Sequence, residues 1–434
     1  MKVIRGFYKK RWFKIICSIT IFIAILGIYF FNFMYPYRNT VEKFEDSLEL
    51  TDTLSYKQAS KDLSYVMNHL KDYHPIYLEN DNQRIKDLEA QYQLEIKSLQ
   101  DSVSVLELWK AVGRILATLH DAHTNISYGG PEDYLYISDF TQLKEYGIPD
   151  AINGVDINSI LSTFKNQFSY ETEAYAESVL YNSKIISQND LNFCGIDTKN
   201  GVSFLYQTEN GPLEFHYNFV PIAQVRGYEM KEDTKWVYYN LDTTNDLAIL
   251  TISSCVYNEE YRSVLDEFFN EVNKAGINNI AVDLRTNGGG NSFVANAFLQ
   301  YIDINSYRSW DCDVRYGWYL LKNKDLVYKN KKNDVVFNGD IFVLTSVHTF
   351  SAAMDFAMLI QDNNLGTLVG ETSGNMPNSY GDLLTFQLPN SKLHMYVSHK
   401  KWYRIDKSKA DEALIPDYEV PQNEALEKVY ELIK

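Results

Sequence analysis

Ile280-Ala281-Val282-Asp283-Leu284-Arg285-Thr286-Asn287-Gly288-Gly289-Gly290-Asn291 runs from a short apolar block straight into three consecutive glycines. An apolar block of this length without alternation reads as a buried strand, and the glycines permit a close backbone approach. The residues that follow, Ser292 to Tyr301, have helical spacing. A strand that delivers a glycine-rich loop to a helix start exposes several backbone N–H groups at one point. Such a point suits an anionic centre, either a phosphate or the oxyanion of acyl transfer. No Gly-x-x-x-x-Gly-Lys-Ser/Thr occurs, and the loop is not Gly-x-Gly-x-x-Gly, so it does not fit the usual phosphate patterns. Taken alone, a triple glycine is more often a mere turn.

Working outward, a strand at Leu247 to Ile252 is followed by a helix from about Glu259 to Lys274. On the other side come Ile341 to Leu344, a helix from Ser351 to about Leu359, and the strand Thr367 to Val369. Strands alternating with helices predict a buried, parallel-type α/β layer. Upstream, from Ser55 to about Leu119, apolar residues recur at helical spacing (Leu63, Val66, Met67, Leu70; Val112, Ile115, Leu116, Leu119), which predicts a small helical bundle. Between Ser127 and Leu241 the pattern is mixed. Gly129-Gly130-Pro131 reads as a turn, Ala151-Ile152-Asn153-Gly154-Val155 as strand-turn-strand, and Glu171 to Tyr181 as helix.

The N-terminus differs from the rest. Lys2, Arg5, Lys9, Lys10, Arg11 and Lys14 precede 21 uncharged residues, Ile15 to Tyr35, and no acid occurs before Glu42. A bilayer-spanning helix needs about 20 apolar residues. The run ends in Phe-Phe-Asn-Phe-Met-Tyr-Pro-Tyr, without a small-residue cleavage site, which favours an uncleaved anchor over a signal peptide. The basic flank predicts a single-pass cell-membrane protein with residues 1–14 in the cytoplasm and the remainder outside. Asn39 to Leu54, polar and acidic, reads as a stalk.

Residues 1–38 carry seven Lys/Arg and no Asp/Glu, which leaves 34 basic and 57 acidic side chains beyond them, a formal −23. Such a surface repels nucleic acid and anionic lipid head groups and makes both poor partners. Cys17, Cys194, Cys255 and Cys312 lack metal-like spacing, and the odd number outside the membrane argues against a disulfide framework while leaving room for one bridge. No His-Glu-x-x-His or tetrahedral ligand set is evident, so neither metal nor cofactor is expected.

Ser351 and Thr349 stand at a helix start, where a hydroxyl is ordinarily an N-cap. The catalytic alternative places the Ser351 hydroxyl where the Ala352 amide and the helix dipole favour developing negative charge. A serine nucleophile also needs a base to take its proton. Among the eight histidines, His123 stands out through its setting, Leu119-His120-Asp121-Ala122-His123-Thr124-Asn125, at the end of a long apolar helix.

Four segments in order resemble the C-terminal processing and tricorn-type serine peptidase family, which includes the tail-specific proteases and the interphotoreceptor retinoid-binding protein core. They are Leu116 to Thr124, similar to Leu-x-Asp-Gly-His-Thr; Val282 to Gly290; Thr349 to Ala357 with Val369 to Gly374; and Leu414 to Val420. The resemblance covers about residues 60 to 420. It implies an α/β fold with a crotonase/Clp-protease-like ββα core, an N-terminal helical bundle and an inserted cap, PDZ-like at most in part. With the anchor, the segments become 1–14 (cytoplasmic), 15–35 (transmembrane), 36–54 (stalk), 55–126 (helical), 127–245 (cap) and 246–434 (catalytic core).

One branch of that family uses a lysine base in Thr-x-Gly-Lys-Gly, and here Asn375 stands at the lysine position. The tricorn-like branch uses a histidine matching His123, with an acid near the C-terminus. Asp406, Asp411 and Glu412 are the candidates for that acid, Asp406 first for its place after Trp402-Tyr403-Arg404. Asp355 replaces a glutamate of the family pattern. The resemblance thus implies Ser351 as nucleophile, His123 as base, and backbone amides of Gly288, Gly289 and Ala352 as oxyanion donors, acting on extracytoplasmic polypeptides or peptides. Two rival readings are a catalytically weak or silent protein that binds a peptide or apolar ligand on the same fold, and an acyl-CoA enzyme, which the acidic surface and outward topology disfavour.

Overall fold

The computed structural model describes residues 2–79, 82–129, 134–228 and 235–434, with the backbone alone for 2–11. Helix α1, Lys2–Tyr29, continues into a π-helical turn, Phe30–Met34. Within it Trp12–Met34 is long and apolar enough to cross a membrane, and none of it is buried inside the protein. Three helices follow: α2, Tyr56–Tyr73; α3, Asn82–Ser98; and α4, Val105–Ala117. Ser104 caps α4 by accepting the Glu107 N–H at 3.1 Å, and the helix turns Leu108, Val112, Ile115 and Leu116 inward.

Strand β1, Asn125–Ser127, comes just after His123. In the middle of the chain Asn153 and Gly154 have φ of +48° and +74° and form the expected tight turn between Ala151–Ile152 and Val155–Asp156. The helix expected over Glu171 to Tyr181 is Glu173–Val179, prolonged by a π-turn, Leu180–Lys184. Gly130 and Pro131 of the expected Gly129-Gly130-Pro131 turn lie outside the described residues.

The other strands of the two main sheets are β2, Val237–Asp242; β3, Leu247–Ile252; β4, Asn279–Asp283; β5, Asp311–Tyr316; β6, Tyr319–Asn323; β7, Asp340–Thr345; β8, Thr367–Gly370; β9, Ser379–Gln387; β10, His394–Tyr403; and β11, Tyr418–Glu419. Between them lie helices α5, Glu259–Ala275; α6, Phe293–Leu299; α7, Ala352–Asp362; and, at the end, α8, Ala425–Leu432. Strands β2-β3-β4-β7-β8-β11 form one sheet in that order, parallel throughout except for β2 against β3. Ile280 pairs with Ile341 and Val282 with Val343 at its centre. Helices α5, α6 and α7 cover one face and α8 the other, so the central strands are apolar on both sides.

A second sheet, β6-β5-β10-β9, is antiparallel and takes β1 on β10 through Asn125 against Tyr396. That pairing places the segment after α4 beside a cavity at the end of β7.

Two sequence expectations change. Residues 39–54 do not stand free as a stalk but are strapped to the β9–β10 hairpin: Val41 N–H donates to Thr385 O at 2.8 Å, Gln387 exchanges two bonds with Glu45, and Phe44 stacks on His394 at 3.9 Å. Polarity along this stretch serves hydrogen bonds to a sheet edge as well as it serves water. In addition, helices α2 to α4, the middle segment, and β9 with β10 share one continuous apolar core. The boundary at 126/127 therefore marks a change of pattern and not separate cores, while the segment from 246 onward has apolar cores of its own around the first sheet and lends β9 and β10 to the preceding one.

Candidate active site

Ser351 occupies the junction between β7 and α7 with φ +54° and ψ −125°, a conformation that L-residues rarely adopt. The turn leading to it is fixed from below. Thr349 Oγ1 donates to Leu284 O at 2.9 Å and accepts the Ser346 N–H, while Phe350 N–H donates to Asn287 O at 3.0 Å. The Ser351 N–H donates to Asn375 Oδ1 at 2.7 Å. Its hydroxyl caps nothing, which removes the ordinary explanation for a serine at a helix start.

The glycine loop packs directly on this turn. Gly289, at φ +103°, passes so close that a Cβ there would lie 2.7 Å from the Ser351 Cβ and 3.0 Å from the Ala352 nitrogen. Asn287 is buried and holds the loop, donating to Ile252 O at 3.0 Å and accepting the Gly289 N–H at 2.8 Å. The Gly289 amide, expected as an oxyanion donor, is thus engaged inside the loop. Among the described residues the N–H groups of Gly288 and Ala352 have no protein acceptor.

His123 lies across the cavity from these groups. Its ring packs on Phe350 with centroids 4.7 Å apart, it is 8% exposed, and neither ring nitrogen has a hydrogen-bond partner. Burial lowers its pKa, and Asp121 and Asp382 act in the opposite direction. The Asp121 Oδ1 lies 3.9 Å from His123 Nδ1, beyond hydrogen-bond range, and accepts the His123 backbone N–H at 2.9 Å.

Asp121 is fully buried and faces a second histidine, with its Oδ2 3.1 Å from His74 Nε2. His74 Nδ1 accepts the Ile76 N–H, so the ring proton resides on Nε2 and is donated to Asp121. Burial by itself would raise the Asp121 pKa. The hydrogen bond and charge interactions with His74, aided by His123, outweigh burial and hold it well below the carboxylate range.

Glu171 joins the two halves of the site. Its carboxylate accepts the Ala122 N–H at 3.3 Å and the Met376 N–H at 2.8 Å, beside His123 and Asn375 respectively. Burial first, then repulsion by Asp121, raises its pKa well above the usual value. Donor atoms of Asp121, His123 and Glu171 lie within 4.8 Å of one another and are the residues a cation would meet. Both carboxylates also accept N–H groups of the protein.

The cavity between these elements has a volume of about 1100 Å³, and its walls include Ser351, His123, Trp310, Asp355, Asp382 and Lys400. Asp355 lies in the first turn of α7, and burial, reinforced by Asp382, pushes its carboxyl up to about 8. Asp382 sits at φ +56° where the β9–β10 pairing skips one residue pair, and its carboxylate is 3.1 Å from the Lys400 ammonium.

The acid expected near the C-terminus is not brought here. Asp406 caps the short turn Lys407–Lys409, accepting from Ser408 N and Oγ, and its own N–H is tied to Asp362. Asp411 and Glu412 are exposed, and none of the three lines the cavity. Position in the sequence suggested them, but strand β10 ends before them and carries them past the site. Asp121, two residues before His123, was legible as part of Asp-x-His, and only its pairing with His74 gives it a role.

Residues 246–420 match the family model described as Peptidase family S41. In fold, the chain is similar to a mutant of CPAF (TM-score 0.62, 13% identity, 87% of this chain and 95% of that one). It is also similar to mature CPAF complexed with lactacystin (TM-score 0.58, 13% identity, 87% and 97%). A third likeness is to a putative peptidase from Parabacteroides merdae (TM-score 0.50, 15% identity, 88% and 97%).

Proposed function

Since residues 246–420 carry a peptidase family S41 domain and the chain is a serine-type peptidase, we propose that it hydrolyses peptide bonds through an acyl-enzyme formed on Ser351. The observation that carries this reading is the free hydroxyl of Ser351, held at φ +54° at a helix head and facing the cavity that His123 also lines. Ser351 attacks the scissile carbonyl, and His123 takes its proton and returns it to the leaving amine. The N–H groups of Gly288 and Ala352 bind the oxyanion.

Asp121, in place of Asp406, stabilises the imidazolium, and His74 keeps Asp121 ionised. The separation of 3.9 Å favours a charge interaction that tightens when substrate closes the site. The carboxyl of Asp355, neutral at pH 7, adds a hydrogen-bond donor on the cavity wall. The core that carries these groups is read as crotonase-like, with the ββα units built from β3, β4 and β7 and their helices. Trp12–Met34 is read as an uncleaved single-pass anchor with the peptidase outside, so its substrates are extracytoplasmic polypeptides.

The second reading, a silent binding protein, draws on the two unpartnered nitrogens of His123. A fluorophosphonate probe and an unfolded protein substrate separate the two. Labelling and cleavage by wild type, absent in Ser351→Ala and His123→Ala, are expected. A folded wild-type protein that neither labels nor cleaves would establish the binding role instead.

A further inference from the structure

The tip of the β5–β6 hairpin rests against the end of the membrane-length helix. Trp318 Nε1 donates to the Tyr29 hydroxyl at 2.9 Å, the Tyr316 and Phe30 rings lie 6.5 Å apart, and a Cβ at Gly317 would collide with the Phe33 carbonyl. Tyr29 stands five residues inside the end of the Trp12–Met34 stretch. At 1.5 Å per residue that is about 7 Å of depth. A helix crossing a bilayer therefore draws Trp318 down to the level of its own last turn.

The tip is built for that level. Trp318 is 66% exposed, Tyr319 48% and Leu321 39%. Tryptophan and tyrosine settle where acyl chains meet headgroups. Charge points the same way, because residues 318–332 contain five lysines and one aspartate in a chain of net charge −16. Lys322, Lys329 and Lys331 are exposed. Lysines beside a membrane surface are attracted to anionic lipid.

We infer that the hairpin tip, residues 316–321, with the lysines that follow it, docks the peptidase on the headgroup layer of a membrane containing anionic lipid. The inference rests on reading residues 12–34 as a membrane span. Val314 of β5 and Asn323 of β6 line the catalytic cavity, so the same hairpin holds the cavity close above the lipid surface.

The full chain tests this in vesicles of phosphatidylcholine with phosphatidylglycerol. In a Cys17→Ser background the other cysteines are buried, and Tyr319→Cys can be labelled with an environment-sensitive fluorophore. A Glu209→Cys label on the exposed turn of the Val202–Tyr217 hairpin is the reference. Expected are a blue-shifted emission at position 319, quenching by headgroup-level doxyl lipid, and iodide quenching at least about two-fold weaker than at position 209. Protein that floats with the vesicles but shows equal iodide quenching at both positions overturns the docking and leaves the span intact. Protein that does not float overturns the span and the docking with it. Immersion that is the same in pure phosphatidylcholine overturns the anionic-lipid part.

Discussion

The side-chain oxygen of Asn375 accepts the backbone N–H of Ser351 at 2.7 Å, joining two segments that are 24 residues apart. Asn375 is fully buried and spends its amide protons on Met376 O and Ser379 Oγ. Where the lysine-using branch has its lysine, this chain has an asparagine that brackets the backbone of Ser351. Asn375→Ala leaves a buried donor unpaired and should cost about 1–3 kcal/mol in stability. It should also lower kcat by about 10-fold or more, since the hydroxyl loses its fixed position. Denaturant unfolding and acylation kinetics check both, and unchanged kcat would mean the bracket is unnecessary.

Ser351 holds a strained backbone that glycine tolerates freely. Ser351→Gly is therefore expected to abolish activity and yet stabilise the fold by about 1 kcal/mol or more. Ser351→Ala abolishes activity without that gain. A thermal melt of both variants beside wild type decides, and a less stable glycine variant would contradict the strain.

Asp121 and Asp406 make opposite forecasts. Asp121→Asn should lower kcat by about 10-fold to 1,000-fold, whereas Asp406→Asn should leave it within about two-fold. The pH profile adds a sign. The proposed mechanism needs neutral His123, so kcat/KM is expected to fall as pH drops through its pKa. Asp121 raises that pKa against the lowering by burial. Removing the charge moves the acid limb to lower pH, a shift that mere loosening of the fold does not produce.

Gly289→Ala should be among the most damaging single changes in the loop. Its Cβ would stand 2.7 Å from the Ser351 Cβ at a φ of +103°, so both contact and backbone oppose it. Expected are loss of activity and destabilisation by about 1–3 kcal/mol. Gly288→Ala, whose Cβ meets open space, should fold normally. Comparing the two by melting and probe labelling separates steric conflict from a general need for glycine.

Asp355 gives the pH dependence of stability. The folded state keeps its proton up to about pH 8, while the unfolded chain loses it near 3.8. The folded state thus binds more protons between those values, and this group's contribution falls as pH rises from about 4 to about 8. Asp355→Asn removes the decline, so its melting temperature should gain on wild type between pH 4.5 and pH 8. A constant difference across that range would refute the shifted carboxyl.

Much of this molecule was determined by the sequence alone, because the deciding features are local. Apolar runs such as Ile280 to Leu284 admit only a buried strand, and Asn153-Gly154 only a turn with positive φ. The spacing of Leu108, Val112, Ile115 and Leu116 requires one buried helix face, and Ile15 to Tyr35 is long enough for a bilayer. The residue types and settings of Ser351, His123 and the glycine loop suggested, on the same local grounds, the acyl chemistry proposed for this chain.

Tertiary structure decided what pairs across distance. Strand β1 joins β10 and thereby brings His123 to a helix head more than 200 residues later. Asp121 gains His74 as a partner, Glu171 spans Ala122 and Met376, and Asp406 is left capping a turn. Chain order ranks acids by nearness to a motif, whereas the charge that an imidazole feels depends on distance and burial. Only the folded sheets fix those.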